Sequence, residues 1–138
     1  MINDAVVVLD TNLAGAMLKD APPAWFALYE PTLQATMHTL SVQTEGELQR
    51  WALRDGWGPG RLARLEGLLA RMLVLPADRA VAQAWARLMA HSEARGRALA
   101  TADAWVAATA VVNDLPLVTH DKDLAGLDFG GLRVVCRA

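Results

Sequence analysis

The stretch Ala5-Val6-Val7-Val8-Leu9-Asp10-Thr11-Asn12 decides the fold. A short, uninterrupted run of β-branched residues reads as a strand buried on both faces, the habit of parallel sheets. It stops at Asp10, and a helix is expected from about Asn12. Further apolar runs at 36–40, 72–76, 115–119 and 133–136 read as four more strands. Helical spacing fills the gaps between them. Pro22-Pro23 opens a helix through Trp25, Phe26, Leu28 and Tyr29 that Pro31 ends, and Leu48, Trp51 and Ala52 share one face of another. The glycines at 56, 58 and 60 break that helix, and the next, from Pro59, turns Leu62, Leu65, Leu68, Leu69 and Met72 inward. Asp78 is placed to cap a helix carrying Val81, Trp85, Leu88 and Met89, and an alanine-rich helix covers Thr101 to Asn113. Alternating strands and helices predict an α/β sandwich around a mostly parallel five-stranded sheet, with residues 1–138 as a single domain.

A chain of 138 residues is long enough to bury a core without disulfides or structural metals. Its lone cysteine, Cys136, permits no internal disulfide and reads as buried filler. Hydrophobic residues make up 54%, yet no apolar run reaches the roughly 18 residues that cross a bilayer. The start of the chain carries Asp4 and Asp10 where a signal peptide would be basic and then apolar. A soluble, cytoplasmic protein is expected. The net charge of −2 argues against a generally basic nucleic-acid binder. However, eleven of the thirteen basic residues are arginine, and five fall together at Arg50, Arg54, Arg61, Arg64 and Arg71. Such a cluster is either a solvated helix face or a rim that grips phosphate bidentately.

Four acids stand at separate strand-to-helix junctions: Asp10, Glu47 in SVQTEGEL, Asp103 in TADAWVAAT, and Asp121 in LPLVTHDKDL. Each has an ordinary explanation. Asp10 and Asp121 suit helix caps, Asp103 suits the positive end of a helix dipole, and Thr44-x-x-Glu47 matches a capping box. Jointly they carry another meaning, because strand C-termini and the helices that follow lie along one edge of an open parallel sheet, where ligands bind. Carboxylates converging there would suit a hard divalent ion such as magnesium or manganese. Asn12 and Thr119 are candidates to orient them, and Asp123 is a fifth acid or plain surface charge. Glu45 and Glu47 sit two residues apart on a helix and cannot share a face. Of the scattered histidines, only His120 stands where a substrate would reach it. No phosphate loop, nucleophile elbow or zinc-type Cys/His set is present, and the five tryptophans read as core, with Trp57 as the exposed candidate.

The motifs VVVLDTN, LSVQTEGEL, ADAWVAATA and LPLVTHDKDL, in that order, resemble those of PIN domains, in particular VapC-type toxin ribonucleases of bacterial toxin–antitoxin pairs. The likeness runs nearly end to end, and its T-x-G-E-L pattern selects Glu47 over Glu45. It implies a sheet of order 3-2-1-4-5 in a three-layer α/β/α sandwich. It implies that Asp10, Glu47, Asp103 and Asp121 are the catalytic, metal-binding set for magnesium or manganese. It further implies a homodimer, RNA hydrolysis on structured RNA such as tRNA, and inhibition by a cognate VapB-like antitoxin. Two departures stand out: Trp51, where many relatives carry glycine, and Asp-Leu at 123–124, where Asp-Phe is frequent.

Two other readings share parts of this pattern. A haloacid-dehalogenase-type phosphatase would use Asp10 as nucleophile, but expects an acid where Asn12 stands and a catalytic lysine that Lys122 fits poorly. A non-catalytic binding module, receiver-like or PIN-like, would not need all four acids.

Overall fold

The computed structural model describes residues 5–138, so Asp4 lies outside the described residues. Five strands form one all-parallel sheet: β1 (Val6–Leu9), β2 (Met37–Ser41), β3 (Leu73–Leu75), β4 (Leu117–Val118) and β5 (Val134–Val135). Their order across the sheet is β3-β2-β1-β4-β5, as the resemblance implied. The helices are α1 (Thr11–Met17), α2 (Glu30–Ala35), α3 (Val42–Arg54), α4 (Pro59–Arg71), α5 (Arg79–Ala94), α6 (Thr101–Val112) and α7 (Lys122–Ala125), with a 3-10 helix over Ala24–Tyr29.

Because strand side chains alternate, the central β1 feeds two cores. Val7 and Leu9 pack with Leu13, Tyr29, Leu40, Leu48, Leu65 and Leu68, under α1, the 3-10 helix, α3 and α4. Val8 points the other way, joining Leu117, Val81, Leu88 and the alanines of α6. Small side chains at Ala104, Ala107, Ala108 and Ala110 let α6 lie close to the sheet. Two helical layers therefore sandwich the sheet. No helix among the described residues is long and apolar enough to cross a membrane.

Several boundaries differ from expectation. Pro31 does not end a helix but sits in the first turn of α2, where its missing N–H costs nothing, and the segment before it is 3-10. The fourth strand is two residues long because Leu115 N–H closes the end of α6 on Ala110 O and Pro116 has no N–H to give. Leu62 is 38% exposed rather than buried, while Leu65 and Leu68 fill the core. Asp78 caps α5 as expected, accepting from Val81 N–H at 3.1 Å. Cys136 is only half-buried, as is Trp57.

Candidate active site

Asp10 follows the last residue of β1 and caps α1. Its Oδ1 accepts from Thr11 N–H at 2.8 Å and its Oδ2 from the Thr119 hydroxyl at 2.6 Å. With both oxygens held it is 4% exposed. Burial pushes its pKa up, the two hydrogen bonds oppose that, and the charges of Glu47 and Asp121 add to the rise. The Thr119 oxygen also accepts Asp121 N–H at 3.0 Å, so one side chain from the end of β4 braces two of the acids. Asn12 completes the bracket. Its Nδ2 reaches Thr119 Oγ1 at 3.5 Å and its Oδ1 accepts His120 N–H at 3.4 Å. Thr119 and Asn12 thus occupy the orienting positions the sequence suggested.

Glu47 is not part of a capping box. The cap of α3 is Ser41, whose hydroxyl accepts Thr44 N–H at 3.0 Å, so Glu47 falls in the second turn, free of the helix end. It is held instead by Thr11, whose hydroxyl donates to Oε1 at 3.0 Å. Thr11 then accepts from the Thr44 hydroxyl at 2.9 Å, which itself accepts from Ser41 Oγ at 3.2 Å. The result is a hydroxyl relay, Ser41 to Thr44 to Thr11, ending on the Glu47 carboxylate. Sequence reading missed Thr11 and took Thr44 for a cap. The signal lay in the threonine directly after Asp10, but its partner is 33 residues away.

Asp103 sits in the first turn of α6, half-buried, and no described group donates a hydrogen bond to its side chain. Its pKa is pushed up to about 6, first by burial and then by the charges of Asp10, Asp121, Glu47 and Asp123. Asp121 caps α7 through Asp123 N–H at 2.9 Å. Asp123 itself is exposed on that short helix, within electrostatic reach of Asp103. The topology therefore brings the four junction acids to one neighbourhood with Asp123 at its margin. They form an open arrangement: among the described residues, no three His, Cys, Asp or Glu side chains are gathered closely enough to enclose a metal ion. The donor set, all carboxylate oxygen and mutually repelling, nonetheless has the chemistry that a hard divalent cation requires.

His120 is more constrained than its sequence suggested. Its ring stacks on Trp25 with centroids 4.2 Å apart and planes 8° from parallel, and Nδ1 lies 2.7 Å from the Tyr29 hydroxyl. That hydroxyl is inserted into the sheet. Thr119 N–H bonds Val135 O, but the next rung is bridged: Tyr29 donates to Thr119 O at 3.0 Å and accepts Arg137 N–H at 2.7 Å. With its only proton given to a carbonyl, Tyr29 accepts from His120 Nδ1–H, which fixes the ring.

Beside Asn12, a groove of about 470 Å³ runs between α1, α3 and α4, lined by Gly15, Trp25, Trp51, Trp57 and Arg61 among others. Trp51 is part of its wall: a Cβ on Gly15 would lie 3.0 Å from the indole, so the glycine makes room for the ring. Arg61 lies over the Trp57 ring at 5.1 Å. Arg54 is paired with Asp55 and Arg64 with Asp20, which leaves the arginine cluster partly committed to the protein's own acids.

The PIN domain family model matches residues 7–130. The VapC ribonuclease Y4jK of Sinorhizobium fredii is 33% identical over 134 residues, covering 90% of this chain and 95% of that protein. Ribonuclease VapC5 of Mycobacterium tuberculosis is 46% identical over 68 residues, and this match spans 49% of the chain and 50% of the relative. Among solved structures, VapBC-5 of M. tuberculosis, a member of the VapBC family of toxin–antitoxin systems, superimposes with a TM-score of 0.73 at 31% identity, covering 96% of this chain and 98% of that one. VapBC2 of Rickettsia felis, at 16% identity and a TM-score of 0.80 over 96% and 99% of the two chains, shares the fold. By the extent of these matches and by its sheet order, the chain belongs to the PIN domain family.

Proposed function

We propose that the chain is a magnesium- or manganese-dependent endoribonuclease, the toxin of a toxin–antitoxin pair, with Asp10, Glu47, Asp103 and Asp121 as its catalytic and metal-binding residues. The observation that carries this reading is Asp103: a half-buried carboxylate with no described donor, set among other acids, its pKa raised to about 6 first by burial and then by their charges. Such a group is poised to take a cation. A divalent ion held by Asp10, Asp103 and Asp121 would supply a more acidic water and charge stabilisation on the phosphate.

The residues of the chain contribute the rest. Thr119 and Thr11 N–H fix the Asp10 carboxylate, and Thr119 positions Asp121 through its backbone. Glu47, oriented by the Thr11 hydroxyl, would accept a proton from the attacking water. No serine, cysteine or histidine nucleophile is required. The phosphatase alternative loses its general acid, because position 12 is an asparagine whose amide is engaged with Thr119 and His120.

Relatives solved as VapBC toxin–antitoxin structures support a VapB-like antitoxin partner. The tryptophan-lined groove beside Asn12 is the proposed seat of its inhibitory segment, with a basic side chain reaching the acids. Structured RNA such as tRNA is the proposed substrate, a homodimer the proposed assembly and the cytoplasm the proposed location. Purified protein should cleave RNA with magnesium or manganese, stop in chelator, and lose activity in Asp103→Asn. Chelator-resistant cleavage at the wild-type rate would refute the metal-dependent reading.

A further inference from the structure

On the opposite face of the sheet from the tryptophan groove, the turn Arg95-Gly96-Arg97 and α7 enclose a cavity of about 220 Å³. The turn is a built one. Gly96 takes φ +68°, the left-handed region that favours glycine, and the end of α5 is closed by Gly96 N–H to Glu93 O at 3.0 Å and Arg97 N–H to Ser92 O at 2.9 Å. Ser92, fully buried, accepts Leu99 N–H at 3.4 Å and so fixes the return toward α6. His91 Nε2 meets Leu127 O at 3.2 Å, tying α5 to the far wall. Across that wall, the Arg97 guanidinium lies over Gly126, its two terminal nitrogens 3.6 and 3.8 Å from where a Cβ would stand.

Arg54, Arg64 and Arg133 each meet an aspartate, but neither Arg95 nor Arg97 is paired with a carboxylate among the described residues. Two exposed guanidinium groups, neither paired with a carboxylate among the described residues, line one cavity. That cavity adjoins the candidate active site directly. Asp123 lines its wall and is close enough to disfavour the charge on Asp103, while Asp121 caps the same short helix. The turn leads within a few residues into α6, which carries Asp103. Because Asp123 would repel an anion placed centrally, an occupant should lie toward the arginines. An anion adjoining a cluster of acids must bring its own reason to be there, and a polyanionic strand held at neighbouring points has one.

We propose that Arg95 and Arg97 grip a backbone phosphodiester of the RNA strand flanking the scissile bond. The inference rests on the ribonuclease reading and adds a substrate-binding subsite outside the four acids and outside the inhibitor groove. Guanidinium pairs suit this task because their planar forks meet two phosphate oxygens at once.

The test compares the full chain carrying Asp103→Asn, which holds RNA uncut, with the same chain also carrying R95Q, R97Q or both. Binding of a fluorescein-labelled single-stranded RNA is measured across a salt series with magnesium present. Removing one arginine should weaken binding, and removing both forfeits the single phosphate contact, lowering the slope of log affinity against log salt by about 0.7, with affinity down tenfold or more at low salt. R97K, which keeps the charge but loses the fork, should retain the slope and lose affinity. In the cleavage-competent background, KM should rise while kcat holds. Arginines that only offset the negative end of α5 would instead lower the melting temperature and leave RNA affinity and slope unchanged, which overturns the inference alone. Failure of the Asp103→Asn parent and the wild-type chain to bind RNA would overturn the ribonuclease reading, and this inference with it.

Discussion

Replacing Asp103 by asparagine should make the metal-free protein more stable while removing its activity. The side chain keeps its shape and loses only its charge. In the folded chain the Asp103 carboxyl is raised from an ordinary value of 3.8 to about 6 by burial and by the neighbouring acids. A rise of that size corresponds to roughly 3 kcal/mol against the charged form. Because the group is half in water, screening reduces this to about 1–2 kcal/mol. The sign follows from linkage. Below the unfolded value near 3.8 both states are protonated and there is no penalty. As pH rises, the unfolded chain releases its proton first, so stability falls until the folded carboxyl also ionises near 6, and the full penalty persists above. For 138 residues the unfolding entropy is about 0.3 kcal/mol per degree, so the substitution should raise the melting temperature by about 3–7 °C at pH 7.5. The difference between the two proteins should shrink as pH falls and be nearly gone by about pH 3. Differential scanning calorimetry in chelator, at both pH values, measures this directly. An equal or lower melting temperature for Asp103→Asn at pH 7.5 would refute the claim that these acids repel one another.

Other consequences are as specific. Manganese should raise the melting temperature of the wild-type chain in proportion to the logarithm of its concentration above saturation, and Asp10→Ala should blunt that shift; an undiminished shift would place the ion elsewhere. Tyr29→Phe leaves Thr119 O and Arg137 N–H without their bridging hydroxyl, so urea denaturation should show a loss of about 1–3 kcal/mol, and a neutral result would disprove the bridge. Thr11→Val removes the donor to Glu47, and kcat should fall several-fold with KM unchanged if Glu47 takes a proton from the attacking water. An unaltered kcat would show that the hydroxyl relay has no part in positioning Glu47.

Much of this arrangement is legible in the residues alone. The β-branched run ending at Asp10 identifies the central strand, because a strand covered on both faces has no polar alternation to hide it. The four acids are legible as junction residues, yet capping and site roles cannot be separated by pattern. Asp10 and Asp121 turn out to be caps and members of the acidic neighbourhood at once. Glu47 is the reverse case: the capping-box pattern matches, but Ser41 outcompetes Thr44 for the helix end, since the strand runs directly into the helix. What sequence could not supply were the long-range partners. Thr11 meets Thr44 across 33 positions, and Tyr29 enters the sheet ladder from 90 positions away. Pairings of that kind depend on the packing of whole elements rather than on local propensity. The arginine cluster is defined by proximity in sequence, and pairing of Arg54 with Asp55 and Arg64 with Asp20 shows why proximity is a poor guide to availability.

The most direct test of the central claim is anomalous scattering from crystals of the chain soaked in manganese. The prediction is a peak bonded at about 2.0–2.6 Å to carboxylate oxygens of Asp10 and Asp103, with Asp121 bound directly or through water and the side chains drawn inward from their open arrangement. Manganese bound elsewhere, with these carboxylates empty while the same preparation cleaves RNA in manganese, would contradict it.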